Sequence, residues 1–169
     1  MELAATPAPA PFEPIVRPRI VERLRRASRY RVTLLVAGAG FGKSVAIRHF
    51  LDEDLVAHVH FSLRHEHAAL LGFARGLAEA LEEFAPGAPK SVAQAYENAL
   101  RADAPAIELA GWASVHFRDY AGTIVIDDFH EANDPACSIF LTELVQRLTH
   151  VRWLIATRDA LELPVASWV

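Results

Sequence analysis

Short unbroken apolar runs alternate along this chain with segments whose apolar residues recur every third or fourth position, and that alternation predicts an α/β domain. Residues 32–36, 56–63, 123–126 and 152–157 have the length and β-branched content of strands. Helical spacing is seen at 17–29, where Ile20, Leu24 and Ala27 share a face, and at 45–51. A long amphipathic helix is expected from Leu70 through Phe73, Leu77, Leu81 and Phe84, ending at Pro86-Gly87. Residues 91–101 and 106–117 read as two further helices, each preceded by proline. Asp134-Pro135 has the form of a cap and first helical residue, followed by the apolar face Phe140, Leu141, Leu144, Val145 and Leu148. Strands alternating with helices imply a parallel sheet with right-handed crossovers, flanked by helices. Residues 1–16, with Pro7, Pro9, Pro11 and Pro14 among alanines, are expected to form a disordered arm, and 17–169 the domain.

The punctuation between these elements carries the chemistry. Ala37-Gly38-Ala39-Gly40-Phe41-Gly42-Lys43-Ser44 joins the first strand to a helix. Small residues at such a turn let backbone N–H groups converge on a phosphate, Lys43 can reach the β- and γ-phosphates, and Ser44 can ligate magnesium. Ala37 stands where the strict phosphate-loop pattern has glycine. The third run ends in Asp127-Asp128, at the strand end where open α/β sheets bind ligands. Asp127 is placed to hold magnesium through its water shell, and Asp128 to orient or deprotonate an attacking water. Arg158 closes the fourth run on the same rim; it either senses the γ-phosphate or is a solvated arginine ending a strand.

With these residues in view, 36–44, Ile126-Asp127-Asp128-Phe129-His130 and Ala156-Thr157-Arg158 resemble the NTPase domain of the large LuxR-type transcriptional regulators, within the signal-transduction ATPases with numerous domains. The likeness covers about Arg17 to Pro164 and takes in 17–24, the segment that family uses around the adenine, which implies a binding role for Arg19. It implies a P-loop NTPase fold binding ATP or ADP with magnesium, an inactive ADP form and an ATP form able to self-associate. Its downstream core strand, lid, sensor region and DNA-binding helix-turn-helix are not found after Arg158, so the chain is expected to be the front part of a longer regulator, contacting DNA only through a C-terminal domain absent here. A small phosphoryl-transfer kinase and a non-hydrolysing nucleotide-binding module remain open as alternatives. The resemblance implies adenine, and no guanine-reading Asn-Lys-x-Asp segment occurs.

Composition narrows the setting. The 169 residues are 52% hydrophobic, enough for one sizeable core. A net charge of −4 gives no general attraction to nucleic acid or an anionic membrane. The single cysteine, Cys137, and the lack of a signal peptide or membrane-length apolar run predict a cytoplasmic protein. Lys43 is one of only two lysines. The arginines of 23–31 are expected to be a solvated helix face. His58, His60, His65 and His67 are dense enough to weigh as a metal site, though loop histidines explain them more simply. Trp112 and Trp153 are expected in the core, and His130 at the nucleotide rim.

Overall fold

A computed structural model describes residues 17–54 and 57–159; the expected arm at 1–16, residues 55 and 56, and the tail from 160 lie outside the described residues. The parallel sheet holds four strands: β1 (Val32–Val36), β2 (His58–Ser62), β3 (Thr123–Asp127) and β4 (Arg152–Thr157), in the order β1-β4-β3-β2. β3 is buried along its whole length, as an apolar run between two helical layers requires. β1 and β2 are the sheet edges among the described residues.

Helices α1 (Pro18–Ala27) and α2 (Lys43–Glu53) cover one face, where Val21, Leu24, Ile47 and Phe50 pack on Val125, Leu154 and Ala156. Helices α3 (Leu70–Ala80), α4 (Ala88–Ala99), α5 (Pro105–His116) and α6 (Pro135–Arg147) build the larger core on the other face. There Val59, Phe61, Ile124, Ile126, Trp153 and Ile155 point inward. The long helix expected through Phe84 stops at Ala80, and a turn closed by Leu81 O follows. Helix α4 starts three residues early because Pro89 fits its first turn, where a missing N–H costs nothing.

Two contacts fix the layers beyond what periodicity shows. Asp134 caps α6 through the Ala136 N–H at 2.9 Å, and its second oxygen accepts the Leu70 N–H at the start of α3 at 3.2 Å. Arg25 is not a purely solvated arginine: it pairs with Glu22, Glu53 and Asp54, tying α1 to the C-terminal end of α2. Gly72 brings α3 against the short 3-10 turn His65–His67; a Cβ there would lie 2.1 Å from the Glu66 carbonyl oxygen. Backbone cannot yield as a side-chain tip does, so Gly72→Ala is expected to destabilise the fold by about 1–3 kcal/mol. Urea unfolding of wild type and variant measures it, and an unchanged midpoint would show that the helix shifts freely.

Candidate nucleotide site

Residues 37–42 link β1 to α2 and owe their path to glycine. Gly40 and Gly42 have φ of 75° and 74°, a left-handed backbone that residues with a Cβ adopt at a cost. The loop's first amide, Ala37 N–H, donates to Thr157 O at the end of β4. Phe41 is 59% exposed, and its ring lies over Gly38, where a Cβ would approach it to 3.3 Å. Lys43 is buried rather than a surface lysine: its Nζ donates to Ala37 O at 2.6 Å and Gly38 O at 3.2 Å, folding the ammonium back over the loop.

Around this loop the rim assembles. A hollow of about 240 Å³ is lined by Ala39, Gly40, Gly42, Lys43, Ser44, Val45, Asp128 and Arg158. Three stretches far apart in sequence therefore meet at one place. Whole small-molecule ligands occupy about 300–1,000 Å³, so the hollow matches a phosphate tail better than an entire nucleotide. Gly38, Phe41 and Asp127 stand outside its lining, and Arg19 lies exposed at the start of α1 beside a different hollow, with Arg17, Pro18 and Ile20.

β4 separates β1 from β3, so the loop and the acidic pair belong to non-adjacent strands. Ser44, in the first turn of α2, spans the interval and interacts with the Asp127 carboxylate. Asp127 is 2% exposed. Burial alone would raise its carboxyl; His60, the Ser44 hydroxyl and the Asp128 N–H, which donates to Oδ1 at 2.9 Å, outweigh that and hold it below the usual carboxylate value. It is therefore an ionised oxygen donor beside a serine hydroxyl at a helix N-terminus. That donor set suits a hard divalent cation such as magnesium.

Asp128 has φ of 56°, the one non-glycine residue with positive φ among those described. Aspartate tolerates this region better than most residues, yet the conformation persists only where neighbours fix it. The Asp128 N–H donates to Asp127 Oδ1 and the Asp128 carbonyl accepts the Glu131 N–H, while the next residue, Phe129, is 1% exposed with its ring 5.8 Å from that of Phe73. His130 follows, packed under the rim: Nδ1 is 3.9 Å from Asp128 Oδ1 and Nε2 3.3 Å from Glu131 Oε1. Neither nitrogen has a hydrogen-bond partner, nor has the buried Thr157 Oγ1.

Of the other sequence candidates, the four histidines do not converge. His58 and His60 lie on the exposed side of β2, while His65 and His67 occupy the turn beyond it, where His67 Nδ1 accepts the Arg64 N–H at 3.0 Å. No three His, Cys, Asp or Glu residues gather around a common point among the described residues. His60 nevertheless stands beside Asp127, a neighbour that periodicity could not show because it depends on which strands pair. Trp153 is buried, whereas Trp112 is half-buried, against His116 and a hollow lined by Asn98 and Glu108. Cys137 is buried and its thiol is pushed up to about 12 by burial and then by Asp134, so it is unreactive. No described helix is long and apolar enough to cross a membrane. No family model matches the chain, and no curated protein matches it.

Proposed function

We propose that this chain is an ATP/ADP-binding switch domain with slow magnesium-dependent hydrolysis, belonging to a signal-responsive transcriptional regulator. The observation that carries the nucleotide reading is the convergence of the glycine loop, Ser44, Asp128 and Arg158 on one hollow, with the buried Asp127 behind it, tied to it through Ser44. The regulatory part rests on the resemblance of the three motifs to the LuxR-type NTPase domain.

On this reading the loop amides and the α2 N-terminus take the phosphates. Lys43 exchanges its bonds to Ala37 O and Gly38 O for phosphate oxygens. Ser44 and Asp127 hold magnesium, which neutralises charge on the phosphates when bound. Asp128 accepts a hydrogen bond from the attacking water and orients it, and Arg158 meets the γ-phosphate. An aspartate is one methylene shorter than a glutamate, so its hold on the water is loose and turnover slow, as a switch requires. The base stays outside the hollow, and Arg19 reaches it only if the segment before β1 closes over the adenine. Self-association of the ATP form follows from the same resemblance.

Asp128→Asn keeps the shape and removes the base. Hydrolysis is expected to fall by about a hundred-fold, within the usual range for a positioned acid–base group, with ATP affinity nearly unchanged. Phosphate release under single-turnover conditions checks this, and an unaltered rate would remove Asp128 from the water-handling role.

A further inference from the structure

The open side of β2 brings an imidazole to the carboxylate assigned to the cation. β2 pairs with β3 in parallel, His60 beside Val125 and Ser62 beside Asp127. Alternate residues share a face, so His60, Ser62, Val125 and Asp127 lie on the side of the sheet that carries α2. His60 Nε2 is 3.8 Å from Asp127 Oδ2. That is too long for a direct hydrogen bond. It is within reach of two donors bound directly to one ion, which at about 2.1 Å per bond stand at most about 4.2 Å apart, so Asp127 would coordinate through Oδ2 itself and not through a water. Oδ1 is engaged by the Asp128 N–H, so Oδ2 is the oxygen turned toward the ring. Ser44 approaches the same carboxylate from α2, and the His60 side chain is 31% exposed, open to an entering ion.

We propose that His60 is a direct ligand of the divalent cation held by Ser44 and Asp127, giving a mixed nitrogen–oxygen site that takes Mn²⁺ or Co²⁺ more tightly than Mg²⁺. The assignment rests on the nucleotide reading above and deepens it. Magnesium keeps to oxygen donors and sheds water reluctantly. An imidazole nitrogen adds little for it, and adds more for the first-row transition cations. The entering cation displaces the proton of Nε2 and takes its lone pair, while Nδ1 keeps its own proton. A histidine that only balanced the charge of Asp127 would confer no such preference.

The test uses the full chain with isotopically labelled histidine, a non-hydrolysable ATP analogue, and Mn²⁺ or Mg²⁺. Pulsed electron paramagnetic resonance reads whether bound Mn²⁺ couples to a histidine nitrogen, and competition titration reads both affinities. Wild type is expected to show the coupling, and His60→Ala and His60→Gln to lack it. In His60→Ala the Mn²⁺ affinity is expected to fall about ten-fold or more, the scale of losing a metal-site partner, with Mg²⁺ affinity changed less than about two-fold. His60→Gln, which retains side-chain length, guards against a folding defect. Mn²⁺ bound with nucleotide but without histidine coupling, or an equal loss of both cations in the variants, overturns the ligand assignment alone. A folded wild-type chain that takes the analogue with neither cation overturns the nucleotide reading, and this assignment with it.

Discussion

Lys43→Ala is expected to weaken ATP binding by about a thousand-fold, because the proposed site would lose two charge-assisted bonds to phosphate at about 2 kcal/mol each. The same side chain is buried and bonded to the Ala37 and Gly38 carbonyls, so its removal also touches the loop. Ala37 is half-buried and Gly38 exposed, and water replaces the ammonium at both oxygens. The stability cost is therefore small, about 1 kcal/mol. Affinity and stability should separate, with binding nearly abolished and the melting transition shifted by only a few degrees. Fluorescent-nucleotide titration beside thermal unfolding measures both. Wild-type affinity in the variant would remove Lys43 from the site, and loss of folding would show its role to be structural.

Phe129→Ala is expected to destabilise the domain by about 3–5 kcal/mol, the cost of emptying a fully buried aromatic position. The ring fills the core between Phe73 and the sheet, and Phe73 in turn meets Phe61 and Phe140. It is covalently one residue from Asp128, whose backbone is left-handed, so its burial ties that turn to the core. In variant protein that remains folded, hydrolysis should decline more than ATP affinity, since Asp128 loses its fixed placement while the loop does not. Denaturant unfolding gives the first quantity and phosphate release the second. Phe41→Ala, at an exposed ring of the loop, is the contrasting control and should leave stability within about 0.5 kcal/mol.

Where the sequence spoke through local physics it was informative. Residues 32–36 and 152–157 are strands over the expected ranges, and β3 adds only Asp127 to the expected 123–126, because a short apolar run between turn residues has few other uses. The Asp134 cap of α6 follows from local capping chemistry. Partnerships between distant segments were silent. Nothing in the order of residues places β4 between β1 and β3, so the distance from the loop to Asp127, and Ser44's part in spanning it, emerged only from the sheet. For the same reason His60 read as one of a histidine group rather than as the neighbour of Asp127. Helix α3 ended at Ala80, six residues before Pro86, where the Leu81 carbonyl takes the Phe84 and Ala85 N–H groups in a turn, although the apolar spacing ran on to Phe84. Gly72 and Gly76 gave no local sign of their role, which is to let α3 approach the turn at 65–67 and the Phe61 ring. The burial of Lys43 depends on the loop folding around it and could not be read from the residue type.

The measurement that bears most directly on the proposed nucleotide switch is calorimetric titration of the chain with ATP, ADP and GTP, each with and without magnesium. One ATP or ADP should bind per chain, with ATP tightened by magnesium and GTP weaker by about ten-fold or more, the cost of at least one unmatched polar contact at the base. A folded chain that gives no binding with any of the three would contradict the assignment of the glycine loop, Asp128 and Arg158 to a nucleotide site.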